Sequence, residues 1–99
     1  MDSLWTWGGE DFGFRSGDDL RTHDGRHVGK FYGAEVFGAD GRYLGEVRGD
    51  RLITKTSRKG ATHSSFSPKG KCVARVRHVS LVGNIMVSGY EDFPAPGEL

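Results

Sequence analysis

Several things are scarce in this chain, and each scarcity excludes a class of protein. A single cysteine, Cys72, leaves no intramolecular disulfide to form. Three prolines rule out a collagen-like or proline-rich linker. No run approaches the roughly 18 apolar residues that a spanning helix needs. No basic-then-apolar leader opens the chain. We therefore expect a cytoplasmic protein with no membrane partner. Apolar residues never sustain a helical period, so almost no helix is expected. Acidic residues are missing altogether from Arg51 to Ser80, where eight Lys/Arg lie.

Glycine, in contrast, is abundant, at 16 of 99 residues, against a usual level of about 7%. An excess of that kind fits many tight turns. The charge is divided as well: residues 1–50 carry ten acidic and six basic residues, and residues 51–99 carry three and eight. Pairing between the halves, within one chain or between copies, is one expectation from that division.

A repeat organises the chain. Leu20–Glu35 and Val36–Arg51 share the pattern Asp-Gly-Arg-x-Φ-Gly-x-Φ-x-Gly at a 16-residue period. Lys69–Val76 is a degenerate third copy. Asp-Gly between apolar and β-branched runs signals a hairpin, with Asp24-Gly25 and Asp40-Gly41 expected in two-residue type I′ turns. Val28/Phe31 and Leu44/Val47 stand three apart, which breaks strand alternation. A bulge at Gly29 and Gly45 would return both members of each pair to one face. One hairpin is unstable alone, so the copies must pack side by side.

Elsewhere, Trp5, Trp7, Phe12 and Phe14 read as a strand pair supplying core aromatics, or as a stacking platform for a ligand. Residues 16–19 and Gly49-Asp50 are turns, and Leu52-Ile53-Thr54 is a short strand. Residues 55–70 read as a polar, basic, mobile loop. Lys71–Val87 is the most continuous strand-like region, with Gly83-Asn84 as a turn in a last hairpin. The chain reads as a single all-β domain over 1–96 with a frayed tail at 97–99.

Candidate chemistry is sparse. His23, Asp24 and His27 have zinc-ligand types, but in a two-residue turn Thr22 pairs with His27 and His23 with Arg26, so the histidines face opposite ways. Cys72 with His78 or His63 would make a thiol nucleophile and base, although free cysteine in an apolar run is usually a small buried hydrophobe. Glu10, Asp11, Asp18 and Asp19 offer carboxylate pairs, yet such acids mostly face solvent. The basic segment 51–80 (Lys55, Arg58, Lys59, Lys69, Lys71, Arg75, Arg77) would grip phosphates while Phe66 stacks on a base. Nucleic-acid binders are usually more basic overall.

The leading expectation is a non-enzymatic binding or interaction module with no cofactor. Its contacts would be Trp5, Trp7, Phe12, Arg58, Lys59, His63 and Phe66, and its partner a protein, a small ligand or a further copy of the chain. Two alternatives stand beside it: nucleic-acid or anion binding through 51–80, and a metal-dependent or thiol enzyme using His23, Asp24, His27 and Cys72.

Several blocks together resemble a bacterial family, the 4-fold β-flower. They are Trp7-Gly-Gly-Glu-Asp-Phe-Gly-Phe-Arg-x-Gly-Asp, Thr22-His-Asp-Gly-Arg-x-Val-Gly, Asp40-Gly-Arg-Tyr-Leu-Gly-Glu, Arg51-Leu-Ile-Thr and Gly89-Tyr-Glu-Asp-Phe-Pro94. The likeness spans Trp5 to Pro96. It implies an all-β domain of four similar hairpin petals around a central axis, in a pseudo-symmetric closed arrangement, and a bacterial origin. It implies no activity and no site residue. The repeat count supplies two clear petals and one degenerate petal, and leaves the fourth to the termini or to Leu81–Val87.

Overall fold

The computed structural model describes residues 2–72 and 79–99. Strands β1 (Asp2–Thr6), β2 (Asp11–Ser16), β3 (Asp19–Thr22), β4 (His27–Tyr32), β5 (Glu35–Gly38), β6 (Tyr43–Arg48) and β7 (Arg51–Lys55) follow one another in an antiparallel meander. An odd number of up-and-down strands leaves the first and last pointing the same way. Closure is accordingly parallel: β1 pairs with β7 through Trp5–Arg51 and Thr6–Leu52. The result is a seven-stranded barrel, which removes most exposed strand edge. A short β8 (Tyr90–Asp92) pairs with the far half of β7, through Ile53–Asp92 to Lys55–Tyr90. Helix among the described residues is limited to two 3-10 turns, Thr56–Arg58 and Pro96–Glu98. None is long and apolar enough to cross a membrane.

The 16-residue period governs the packing. The Leu20–Gly29 and Val36–Gly45 pairs are followed by a register shift before Arg21–His27 and Phe37–Tyr43. Val28 and Leu44 are the extra residues of these bulges, one position before the glycines expected to carry them. A third hairpin, β1–β2, has the same design: Leu4 pairs with Gly13, the register shifts, and Trp5 pairs with Asp11. So Leu4, Leu20, Val36 and Leu52 recur at one period and meet in the core with Phe12, Phe31 and Phe93. The bulge residues Val28 and Leu44 and their neighbour Val47 pack against that cluster. Phe12 and Phe93 meet edge to face at 5.3 Å. Full burial of each such side chain stabilises the fold by about 1.5–3 kcal/mol.

The hairpin tips differ from the expected type I′ turns. Thr22 N–H donates to Arg26 O at 3.0 Å and Gly25 N–H donates to Thr22 O at 2.9 Å. The loop is therefore three residues, His23-Asp24-Gly25, with positive φ only at Gly25. The Gly38–Arg42 and Thr6–Glu10 tips carry the same two hydrogen bonds. Asp24 never needs the left-handed region, because the added residue lets a glycine alone absorb the strain. Gly45 answers a different need: a Cβ there would overlap the Ile53 carbonyl oxygen and lie 2.7 Å from the Phe93 ring.

One further expectation is corrected. The strand and final hairpin expected within Lys71–Val87 are absent over the described residues 71–72 and 79–87; residues 73–78, including much of the degenerate repeat and His78, lie outside the described residues. Arg26 donates to the carbonyl oxygens of Pro96 and Leu99 at 3.0 and 2.8 Å, and Leu99 packs against the core.

Candidate binding surface

Between β7 and β8, the described residues 56–72 and 79–89 form a belt along the hairpin tips. The expected mobile loop is instead docked by main-chain hydrogen bonds. His63, Cys72 and Leu81 each donate N–H to the carbonyl oxygen of a tip glycine: Gly41 at 2.7 Å, Gly25 at 3.1 Å and Gly9 at 2.8 Å. The belt thus advances nine residues for each 16-residue step of the barrel. The carbonyls two residues earlier follow the same rhythm. Ala61 O accepts from Tyr43 N at 3.0 Å, Gly70 O from Arg21 Nη1 at 3.0 Å and Val79 O from Trp5 Nε1 at 3.1 Å. Gly25 shows why a tip must be glycine: a Cβ would run into the Cys72 carbonyl.

Charge reinforces the docking. Arg58 makes a two-pronged contact with Glu35 at 2.9 and 3.1 Å, which raises its pKa. Lys59 lies 2.6 Å from Glu91, Lys69 lies 2.7 Å from Asp19 and Lys71 lies 3.9 Å from Asp24. The basic segment thus meets the acidic barrel within one chain.

Beside the middle anchor the belt meets a buried side chain, His27. His27 Nδ1 accepts the Lys69 N–H at 2.9 Å, so its proton in the neutral form sits on Nε2. Nε2 lies 3.3 Å from Asp19 Oδ1, an orientation that is not a hydrogen bond. Phe66 stacks on the imidazole at 4.8 Å. Burial pushes the His27 pKa below its usual value; Asp19 and the Gly29 backbone oppose this, while Arg21 and Lys69 add to it.

The residues singled out from sequence scatter across this arrangement. Trp5 and Trp7 are half-buried, and their indoles hold the belt at Val79 O and Ile85 O. Phe12 is in the core and wholly buried, so it offers no surface. His63 stacks on Tyr32 at 3.6 Å. His23 is half-buried, and its N–H goes to Phe12 O. The Thr22 hydroxyl donates to the Asp24 carboxylate, which with Arg26 and Lys71 holds its pKa below the ordinary range. No group of three His, Cys, Asp or Glu among the described residues could hold a metal ion. Cys72 is exposed, not the buried hydrophobe its run suggests. Asp11 and Asp19 are buried, against the expectation that these acids face solvent.

Sequence reasoning missed the feature that stands out most. Val79, Val82 and Ile85 are 83%, 88% and 93% exposed, and Met86 is 43% exposed. Their main chain is fixed: besides the two indole bonds, Arg51 Nη2 donates to Val82 O at 3.1 Å, and Asn84 N–H donates to Trp7 O at 3.0 Å. With the carbonyls turned to the barrel, the aliphatic side chains stand in solvent. The signal in the sequence is an uncharged apolar run, which fits a strand equally well. A second feature is a groove of about 920 Å³ beside β8, with Leu44, Tyr43 and Phe93 among its walls and Glu10, Lys59, Glu91 and Glu98 among its charged groups.

No protein-family model, curated protein or solved structure matches the chain.

Proposed function

We propose that this chain is a non-enzymatic binding module in which the barrel is the scaffold and the belt supplies the contact surface. One observation carries the reading: three aliphatic side chains, more than four-fifths exposed, on a segment whose backbone is clamped. Clustered apolar exposure of this kind marks interaction sites, and clamping removes part of the ordering cost of binding. The partner surface is apolar and uncharged.

The β-flower likeness belongs to this proposal. Hairpins β1–β2, β3–β4 and β5–β6 would be three petals, and β7–β8, opened by the belt, the fourth. A bacterial origin and a cytoplasmic setting go with it. Nucleic-acid binding is disfavoured by the carboxylates beside Arg58, Lys59, Lys69 and Lys71, which a phosphate backbone would have to displace.

Panning a random peptide library on the immobilised protein tests the reading. Apolar peptides should bind the native chain and lose at least tenfold in affinity on a Val82→Asp/Ile85→Asp variant. Recovery of no peptides, or of peptides that bind both proteins equally, refutes it.

A further inference from the structure

We propose that the groove beside β8 is a second contact site, which receives an extended basic peptide. The peptide main chain would add to the outer edge of β8, and its Lys or Arg side chains would meet Glu10, Asp92 and Glu98. None of residues 79–89 lines this groove, so the inference stands apart from the reading of the aliphatic stripe.

The first observation is an open strand edge. Among the described residues β8 pairs with β7 alone. Ile53 O faces β6, where a Cβ on Gly45 would overlap it. In the Ile53–Asp92 pair the main-chain groups therefore point apart. Asp92 N–H and C=O are turned away from β7, and no described residue bonds them. An edge of this kind is a template for a further strand. Asp92 also lines the groove, whose volume of about 920 Å³ exceeds the needs of a single amine and suits a short peptide.

Charge names the occupant. The two cations in the groove walls are already matched: Lys59 lies 2.6 Å from Glu91, and Arg42 lies 3.5 Å from Asp40, which is outside the groove. Glu10, Asp92 and Glu98 are left without an ion pair among the described residues. Elsewhere carboxylates are neutralised, Asp19 by Lys69, Glu35 by Arg58 and Glu46 by Arg48. Two of the three groove acids are held in place by main-chain donors. Asp92 accepts from Gly8 and Phe93 N–H at 3.1 and 2.9 Å, and Glu98 accepts from Ala95 N–H at 3.1 Å. Leu44, Tyr43 and Phe93, also in the walls, suit the aliphatic stems of lysine and arginine.

Fluorescence anisotropy with the whole chain is the test. The probes are labelled hexapeptides that alternate lysine or glutamate with valine, a lysine–valine peptide N-methylated along its main chain, and spermidine as a competitor. The lysine–valine peptide should bind, weaken with added salt and lose about fivefold in affinity in Glu10→Gln/Glu98→Gln. Glutamine keeps an oxygen for the Ala95 N–H, so the variant should fold, which circular dichroism checks. N-methylation should abolish binding at unchanged charge. No binding, equal binding of the glutamate peptide or unchanged affinity in the variant overturns the proposal. Equal binding of the N-methylated peptide, or displacement by spermidine at the concentration of the unlabelled peptide that displaces it, shows a site for cationic charge alone and overturns it too. If Val82→Asp/Ile85→Asp weakens the peptide and the groove variant does not, the stripe is its site; this inference then falls and the binding-module reading stands.

Discussion

The barrel and the belt are held by different physics. The barrel closes on itself through seven ladders and buries Leu4, Phe12, Leu20, Phe31, Val36 and Leu52. The belt buries little: among its described residues none is in the core, and it is attached by hydrogen bonds spaced nine residues apart, four ion pairs and ring stacking. Apolar burial scales with area and supplies most of a domain's stability, whereas an exposed hydrogen bond or ion pair adds little. The belt should therefore open locally well before the barrel unfolds.

The largest test of that contrast lies in the barrel. Phe12→Ala should cost about 3–5 kcal/mol, much of the stability of a small domain, and a denaturant titration would measure it. Gly45→Ala should cost about 1–3 kcal/mol, because the Phe93 ring and the Ile53 carbonyl leave no room for a methyl group. A midpoint unchanged by either would mean that the barrel is not the stable unit.

Trp7→Phe removes the donor to Ile85 O and should cost about 1 kcal/mol. The effect should be local. Hydrogen exchange should accelerate at Leu81 and Asn84 with the denaturation midpoint almost unmoved. A global loss would erase the distinction between the two regions.

Acid should loosen the belt at its middle anchor. The folded state favours neutral His27, whose pKa lies below the usual 6.5. Stability from this group is therefore complete above pH of about 6.5 and is lost as pH falls through that value towards the lower folded one. Protonated Nδ1 no longer accepts the Lys69 N–H. The groups facing the imidazole are Asp19, Arg21, Lys69 and Phe66. Exchange at Lys69 should quicken between pH 7 and pH 5, beyond the ordinary pH dependence of exchange, and His27→Phe should remove that excess. The smallest effect is expected from Arg58→Ala. Its contact with Glu35 is surface-exposed, and the thermal midpoint should not move measurably.

The hairpin period was readable because Asp-Gly-Arg and the following glycine repeat verbatim. The copy at Leu4–Asp19 was not, because Gly8-Gly9-Glu10 stands where Asp24-Gly25-Arg26 stands. Leu4, Thr6, Gly9, Gly13 and Gly17 keep the spacing of Leu20, Thr22, Gly25, Gly29 and Gly33, and without the Asp-Gly-Arg tip these scattered identities are a faint signal. The tip type is hidden for a related reason. Asp-Gly serves two-residue and three-residue loops alike, and the choice is made by the bulge at Val28, not by the dipeptide.

Local chemistry by itself determined that this protein is all-β, that its hairpins recur at 16 residues and that its two halves carry opposite charge. Those properties depend on neighbours in the chain: turn glycines, alternation and composition. Tertiary structure decided the parallel closure of β1 on β7, the docking of His63, Cys72 and Leu81 on three tips, the burial of Asp19 beside His27 and the exposure of Val79, Val82 and Ile85. Each of these joins residues distant in sequence. An uncharged aliphatic run has the same composition in a core strand and on a clamped surface segment, and only what lies across from its backbone tells the two apart.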